Sequence, residues 1–289
     1  MNTPALTPSI IDPVVLMALT EDAPWGDITS QTLIPAEANA SAGLVARESG
    51  VFSGGAVFAA AFRLLDPSVE VEVLVSDGTV FEKRQTLARV AGSARSVLQS
   101  ERVALNFVQR LSGIATLTAE YVALTAGTSA RIVDTRKTTP GLRVFERHAV
   151  RCGGGHNHRF SLSDAVMAKD NHLAVLTQDG RRTVTEALLE VRAALSHTTH
   201  LEAEVDRLEQ IEPVLAGGVD TIMLDNFSLE QLRTGVAQVA GRALVEASGS
   251  VNLGTVRAIA ETGVDIISVG ALTHSVRSLD LGLDVTLTP

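Results

Sequence analysis

The sequence predicts an α/β protein that divides near residue 113. A mixed region of helices and strands comes first, and an irregular parallel α/β barrel of fewer than eight strands follows. In the second region one unit repeats: a short β-branched run ends in a polar or glycine residue, and a loop and an amphipathic helix come next. Four of these runs end near Glu204, Asp225, Ser248 and Gly270, which are spaced 21, 23 and 22 residues apart. Parallel strands need a crossover of about a dozen residues or more, so this spacing favours a parallel sheet.

The first region has clear helix and strand patterns but no repeat. Apolar residues at helical spacing predict helices over residues 10–19 and 94–111, and residues 21–27 form a turn after the first helix. The alternating run S-V-E-V-E-V-L-V at 68–75 predicts a strand with one exposed face. Because it enters a turn at Asp77-Gly78 and residues 85–90 return, we expect a hairpin there.

The second region contains six strands by pattern, and a last alternating run follows it. The six runs are residues 130–134, 165–168, 201–205, 221–224, 243–246 and 266–269. The tail at 279–287 alternates leucine and valine with other residues, which predicts a half-exposed strand that returns to the N-terminal sheet. We therefore predict domains at residues 1–112 and 113–274, with residues 275–289 as the returning strand.

Composition excludes several classes of protein. The chain of 289 residues has a formal net charge of −9, 3% aromatic residues and a single cysteine, Cys152. The acidic balance and the few aromatics argue against nucleic-acid binding. One cysteine excludes a disulfide framework within the chain and suits a reducing cytoplasm. Without a signal-peptide pattern or an apolar run of bilayer length, we expect a cytoplasmic protein with no membrane partner.

Positive charge is concentrated in residues 131–159. This stretch holds seven Lys/Arg, only two acids and three of the seven histidines, although the whole chain is acidic. Such a local excess of cations usually holds an anion, and arginine suits carboxylates and phosphates because it donates two parallel hydrogen bonds. Arg143, Arg147 and Arg151 recur every four residues, which is better explained by a solvated helix. That explanation does not cover Arg136-Lys137 or His158-Arg159.

The residues that could bind a ligand or take part in a reaction lie at the ends of the predicted strands. The cations are Arg136, Lys137, His158, Arg159 and Lys169. Glu204 and Asp225 end successive strands and could hold Mg²⁺, which needs few protein carboxylates when phosphates complete its shell. Ser248-Gly249 and Gly270 follow the last strands and predict a phosphate site, since small residues leave backbone N–H groups accessible.

Each of these features also has a plainer explanation. Glu204 could simply pair with a neighbouring lysine, and the glycines could be turn residues. Cys152, His156 and His158 give only three candidate ligands on a glycine run, which argues against zinc. The sequence has neither a P-loop nor a strand-led G-x-G-x-x-G motif.

Seven ordered motifs together resemble one enzyme family. They are D-T-R-K-T-T-P-G-L-R (134–143), G-G-G-x-N-H-R (153–159), A-K-D-N-H (168–172), E-x-E-V-D (202–206), L-D-N-F (224–227), E-A-S-G (246–249) and V-G-A-L-T-H-S (269–275). The N-terminal stretches 21–30 and 100–106 agree as well. The chain is thereby identified as resembling the quinolinate phosphoribosyltransferases. The resemblance implies an N-terminal open α/β sandwich, an irregular barrel and a homodimer with shared sites, or a higher oligomer built from it.

The resemblance also implies the reaction and the residue roles. Quinolinate and phosphoribosyl pyrophosphate would give nicotinate mononucleotide, pyrophosphate and CO₂, with Mg²⁺, in NAD biosynthesis. The implied quinolinate ligands are Arg102, Arg136, His158, Arg159 and Lys169, with Arg102 coming from the neighbouring subunit. Lys137, Glu204 and Asp225 would be catalytic, and Glu204 and Asp225 would also hold the metal. Ser248, Gly249 and Gly270 would bind the 5′-phosphate. The sequence departs from the family at Pro24-Trp25 and at Ser250, where a second glycine is common.

Three other functions fit the sequence less well. A related phosphoribosyltransferase linked with molybdate transport would share the fold, but the intact A-K-D-N-H and G-G-G-x-N-H-R motifs favour quinolinate. A Schiff-base aldolase that uses Lys137 or Lys169 is a poorer fit, because such a lysine usually lies in an apolar pocket, whereas these two have cationic neighbours. The hairpin at 75–87 is similar to that of lipoyl and biotinyl carriers, but it lacks the modified lysine at Asp77-Gly78.

Spacing alone predicts that Arg102 is a surface arginine at the margin of an apolar stripe.

Overall fold

The computed structural model describes residues 6–177 and 181–288. Its α-helices are α1 (Pro8–Asp22), α2 (Ile28–Leu33), α3 (Gly55–Leu65), α4 (Ala94–Leu124), α5 (Arg143–Cys152), α6 (Asp170–Leu176), α7 (Val184–Ala194), α8 (Ile211–Ala216), α9 (Leu229–Val239), α10 (Val256–Ala260) and α11 (Ala271–His274). Its strands are β1 (Asn39–Ala46), β2 (Gly50–Val51), β3 (Glu70–Val73), β4 (Val80–Phe81), β5 (Thr86–Ser93), β6 (Arg131–Val133), β7 (Val166–Ala168), β8 (Leu201–Val205), β9 (Thr221–Asp225), β10 (Leu244–Ser248), β11 (Ile266–Ser268) and β12 (Leu281–Thr288).

These elements form two compact units. The first comprises the chain up to Ala119, Thr138–Gly154 and the chain from Ser275 onward, and the second comprises Glu120–Lys137 and Gly155–His274. The predicted boundary after residue 112 falls inside the continuous helix α4. No helix within residues 6–177 or 181–288 has the length and apolar character needed to span a bilayer.

The first unit is built on a four-stranded antiparallel sheet with the order β12-β1-β5-β3. The C-terminal strand β12 pairs along the whole of β1, with Leu283 opposite Leu44. β3 and β5 pair antiparallel as the hairpin pattern predicts, with Val71 opposite Val90. The chain between them is longer than a tight turn, because it includes β4, which pairs with β2.

Helix α4 is thirteen residues longer than its apolar pattern predicts. The pattern stops at Leu111 because Ser112 and Gly113 follow, and glycine inside a helix costs about 1 kcal/mol relative to alanine. The structure explains this glycine: a Cβ at position 113 would overlap the carbonyl oxygen of Arg277. Close approach of two backbones therefore requires Gly113, and the helix continues through it to Leu124.

The second unit confirms the predicted fold class. All six predicted strands form one parallel sheet with the order β6-β11-β10-β9-β8-β7. The central strand β9 is almost entirely buried, as expected for a sheet covered by helices on its outside. Parallel pairing sets the carboxyl ends of these strands side by side, for example Ser248 opposite Asp225.

Residues 156–159 join the two edges of this sheet. The His156 amide donates to the Ile132 carbonyl on β6 (2.8 Å), and its own carbonyl accepts from the Asp134 amide (3.2 Å). Three residues later, Arg159 Nη1 donates to the carbonyl of Ala165, just before β7. The segment thus takes the place of a further strand between the edge strands β6 and β7, and this is where the barrel is irregular.

In the first unit, the ion pair between Asp77 and His148 ties α5 to the turn after β3. The Asp77 carboxylate accepts from the amides of Gly54 and Gly55 at 3.0–3.1 Å. His148 Nε2 lies 2.7 Å from Asp77 Oδ2. Burial alone would lower the pKa of His148, but its hydrogen bonds to Asp77 and Cys152 outweigh burial and raise the pKa to about 10.

This pair predicts a dependence of stability on pH. Because folding raises the pKa of His148 above its ordinary value of 6.5, its contribution is full below pH 6.5 and disappears as the pH approaches about 10. We expect His148→Gln to lower the Tm most at pH 6.5 and progressively less up to pH 10. Thermal denaturation of both proteins across this range measures the difference, and a pH-independent difference in Tm would contradict it.

Candidate active site

The carboxyl ends of the six strands surround a cavity of about 750 Å³. Ten of the eleven predicted site residues line it. They are Arg136, Lys137, His158, Arg159, Lys169, Glu204, Asp225, Ser248, Gly249 and Gly270. Arg102, the remaining one, is an exposed residue of α4 and is not among the lining residues. A single chain therefore brings together every predicted group except the one that the family resemblance assigns to a neighbouring subunit.

Arg136 and Arg159 form the most strongly cationic part of the cavity. Burial, and then the like charge of Arg136, lower the pKa of Arg159. The strand-connecting hydrogen bond to Ala165 holds the Arg159 guanidinium in place. Two guanidinium groups held close enough to repel each other are stabilised when an anion binds between them.

Lys137 is positioned through its backbone. Its amide donates to Thr135 Oγ1 (3.1 Å), and its carbonyl accepts from Thr273 Oγ1 (2.7 Å). Gly270 gives the side chain room, since a Cβ at position 270 would lie 3.1 Å from Lys137 Cδ. The loop after β6 and the end of β11 therefore fix this lysine together.

Buried Asp134 holds the G-G-G-x-N-H-R segment against β6. Its carboxylate accepts from the His158 amide (2.7 Å) and from Asn157 Nδ2 (2.6 Å). Asp134 is fully buried, and these charge-assisted bonds compensate the burial of its charge. The first residue of the D-T-R-K motif thus positions the histidine and arginine of the next motif.

His158 faces two buried acids that the sequence analysis did not single out. Its Nε2 lies 3.3 Å from Glu202 Oε2 and 3.5 Å from Glu246 Oε2. Burial alone would lower the pKa of His158, but these carboxylates raise it to about 10. The Arg159 amide donates to Nδ1 of His158 (2.7 Å), and this bond favours the neutral ring. The two buried carboxylates beside Nε2 have the larger effect and favour the charged ring.

The acids beneath His158 share its positive charge. Burial, with the charge of Glu246, raises the pKa of Glu202 in spite of the neighbouring His158. Within the described residues, Oε1 of each glutamate is buried without a hydrogen-bond partner. The sequence does contain a signal for these buried acids. Glu202 in L-E-A-E-V and Glu246 in L-V-E-A-S each lie inside an otherwise apolar strand, where a carboxylate is rare unless it is paired. His158 therefore contributes charge at the cavity wall, with Nε2 directed at protein groups.

Lys169 and Glu204 form an ion pair at the ends of β7 and β8. Glu204 therefore does pair with a neighbouring lysine, as its plainer explanation predicts. Glu204 nevertheless lines the cavity together with Asp225, whose Oδ2 accepts from Asn226 Nδ2 (2.9 Å). Two carboxylates at one mouth are a donor set that suits Mg²⁺ when ligand phosphates supply further oxygens.

The turns after β9 and β10 approach each other closely. The Asn226 amide donates to the Ser248 carbonyl (2.9 Å), and Asn226 has φ +59°. Gly249 has φ +94°, and a Cβ there would overlap the Asn226 side chain, so this position requires glycine. Ser250 has φ +52°, in the left-handed region that glycine adopts without strain, which is the physical reason for a second glycine at this position.

Comparison with known proteins identifies the family. A model of the quinolinate phosphoribosyl transferase C-terminal domain matches residues 114–284, and one of the N-terminal domain matches residues 27–112. The chain belongs to the quinolinate phosphoribosyltransferase family. It is 42% identical over 268 residues to a probable nicotinate-nucleotide pyrophosphorylase [carboxylating] of Bacillus subtilis, covering 93% of this chain and 91% of that one. It is 44% identical to the nicotinate-nucleotide pyrophosphorylase [carboxylating] of Mycobacterium leprae over 93% of this chain and 94% of that one.

A solved structure supports the family assignment at the level of the fold. The crystal structure of NadC from Streptococcus pyogenes superposes with a TM-score of 0.93 at 41% identity and covers 99% of both chains. The resemblance drawn from the seven motifs is thereby confirmed. Because the chain belongs to this family, the lipoyl or biotinyl carrier and the Schiff-base aldolase are excluded as functions.

Proposed function

We infer that the protein transfers the phosphoribosyl group of phosphoribosyl pyrophosphate to quinolinate, with decarboxylation. The products are nicotinate mononucleotide, pyrophosphate and CO₂, so the protein is a pentosyltransferase of de novo NAD biosynthesis. One observation carries the inference: in a chain of this family, a single cavity joins a cluster of cations to the carboxylates of Glu204 and Asp225 and to a set of small residues. The single cysteine suits a reducing compartment, and we propose that the reaction takes place in the cytoplasm.

Quinolinate carries two adjacent ring carboxylates, and the cationic wall matches them. We assign them to Arg136, Arg159 and Lys169, with the charge of His158 in support. Arginine forks suit carboxylates because each can donate two parallel hydrogen bonds. Lys169 pairs with Glu204, and its ammonium group carries three donors, so it can also donate to a substrate carboxylate.

The phosphoribosyl group would occupy the acidic and small-residue side of the cavity. We assign Ser248, Gly249 and Gly270 to the 5′-phosphate and Lys137 to the space between the two substrates. Glu204 and Asp225 would hold Mg²⁺, which neutralises charge on the departing pyrophosphate when it is bound. These roles rest on the cavity lining and on the family's motifs.

The chemistry follows from positioning and charge. As the C1–pyrophosphate bond breaks, positive charge develops at the ribose, where a carboxylate of Glu204 or Asp225 stabilises it. The cations hold the pyridine nitrogen in line with C1, which reduces the entropy lost in the transition state. Once alkylated, the ring nitrogen is cationic and stabilises the electron pair that stays on C2 as the C2 carboxylate leaves as CO₂, and that pair then takes a proton.

Incubation with both substrates and Mg²⁺ tests this function. We expect nicotinate mononucleotide, pyrophosphate and CO₂ in equal amounts, and no product after the metal is removed with a chelator. Asp225→Asn should raise the Mg²⁺ concentration needed for half-maximal rate, because one anionic ligand is lost, while quinolinate binding measured by calorimetry stays unchanged. Turnover that persists in excess chelator would refute the metal assignment.

The exposed position of Arg102 supports a homodimer with shared sites. Three large apolar side chains of the same unit, Trp25, Ile28 and Leu33, are 93%, 78% and 71% exposed, as expected of a surface that another subunit covers. We propose that Arg102 of the partner subunit completes the quinolinate site.

Mixing two inactive variants tests the shared site. Arg102→Ala and Lys137→Ala should each be nearly inactive, but a hybrid dimer has one intact site out of two. Random exchange of subunits should therefore restore about a quarter of the wild-type activity. Folded variants that exchange subunits, as native mass spectrometry can show, and yet regain no activity would rule out a contribution from the partner.

A further inference from the structure

Asp77, His148 and Cys152 form a compact cluster in the first unit, and none of them lines the cavity. One ligand atom from each lies within 4.8 Å of the other two. His148 and Cys152 are one helical turn apart on α5, a spacing that puts both on the same helix face. Unlike His156 and His158, which follow the glycine run at 153–155, His148 lies on the same helix as Cys152.

The third ligand is already oriented. Both oxygens of Asp77 accept backbone amides from the start of α3, which fixes the direction of the carboxylate before anything binds. Outer hydrogen bonds of this kind are usual around metal ligands. His148 is 9% exposed and Asp77 26% exposed, so the cluster is shielded but within reach of the surface.

The charge in the cluster is also that of a cation site. His148 Nε2 and Asp77 Oδ2 lie within hydrogen-bond distance of each other, and the Cys152 sulfur is within 4.8 Å of both residues' ligand atoms. Cys152 packs against Val51, Ala115 and Ala119, an apolar setting that excludes competing water. A divalent cation that replaces the protons of His148 and Cys152 leaves the cluster electrically neutral, with one carboxylate, one thiolate and one neutral imidazole around it.

We propose that Asp77, His148 and Cys152 bind a thiophilic divalent cation of the Zn²⁺ type and that this cation links α5 to the turn after β3. Sulfur, nitrogen and oxygen ligands together suit Zn²⁺, whereas Mg²⁺ avoids thiolate. Tetrahedral coordination separates neighbouring ligand atoms by about 3.5 Å, so His148 and Asp77 need to move apart by less than about 1 Å. Three protein ligands leave one position for water.

Cobalt spectroscopy of the whole protein tests the proposal. Since the chain has one cysteine, a sulfur-to-cobalt charge-transfer band in the near ultraviolet reports on Cys152 alone. We expect chelator-treated protein to develop this band on addition of Co²⁺, to saturate at one ion per chain, and to lose the band when Zn²⁺ is added. Excess Mg²⁺ is kept present to occupy carboxylate sites, and it should leave the band unchanged.

Variants separate this site from adventitious binding. Cys152→Ser should abolish the band, and His148→Ala and the nearly isosteric Asp77→Asn should weaken Co²⁺ binding at least about 100-fold and 10-fold. His197→Ala, which changes an exposed histidine elsewhere, is the matched control and should bind as the wild type does. Circular dichroism establishes that each variant is folded. Absence of the band in wild-type protein, its persistence in Cys152→Ser, or equal affinity in His148→Ala and His197→Ala would each overturn the proposal.

Discussion

Nicotinate is expected to be a very poor substrate, with kcat/KM about 10⁴-fold below that of quinolinate. Five cationic side chains converge on the cavity, and nicotinate lacks the C2 carboxylate that quinolinate offers them. Burying guanidinium and ammonium groups against a ring that cannot pair with them leaves donors unsatisfied in a desolvated site. Formation of nicotinate mononucleotide from each substrate, at saturating phosphoribosyl pyrophosphate and Mg²⁺, measures the ratio.

Phthalate provides the complementary test. It keeps both carboxylates but has no ring nitrogen to attack the ribose, so it should compete with quinolinate and form no product. Comparable turnover of nicotinate, or failure of phthalate to compete, would refute the dicarboxylate pocket even though the fold is correct.

Arg159→Ala should weaken quinolinate binding by about 3 kcal/mol, which is on the order of 100-fold in Kd. Burial, and then the like charge of Arg136, lower the pKa of Arg159, and both arginines line the cavity where an anion would bind. Removing it takes away a charge-assisted bond to the substrate. Isothermal titration with quinolinate measures the loss directly.

The control for this variant is Arg233→Ala, which removes an exposed arginine of α9 in the same unit. It should bind quinolinate as the wild type does. Because Arg159 also donates to the Ala165 carbonyl, thermal denaturation is needed to show that the variant remains folded at the titration temperature. Normal quinolinate binding by folded Arg159→Ala would contradict the assignment.

Sequence pattern was sufficient to predict the sheet of the second unit. Buried parallel strands are short apolar runs, and crossover helices space them regularly, so β8 to β11 were recognisable from residues 201–269 alone. The same regularity explains why residues at successive strand ends, such as Glu204 and Asp225, could be expected at one mouth. Local periodicity carried less information about α4, where the close approach of the Arg277 carbonyl requires a glycine at position 113 inside the helix.

Long-range side-chain pairing was beyond the sequence argument. Glu202 and Glu246 lie 44 residues apart and meet only because β8 and β10 flank β9 and both point at His158. Asp77 and His148 are separated by 71 residues, and their hydrogen bond depends on how the turn after β3 packs on α5. Periodicity identifies which face of an element is buried, but it does not specify which polar groups meet there.

A crystal structure of the protein with phthalate, phosphoribosyl pyrophosphate and Mg²⁺ would show which residues hold each ligand. We expect the phthalate carboxylates within hydrogen-bond distance of Arg136, Arg159 and Lys169. We also expect the metal on Glu204 and Asp225, and the 5′-phosphate against Ser248, Gly249 and Gly270. Phthalate bound away from the arginines, or a metal that touches neither acid, would contradict it.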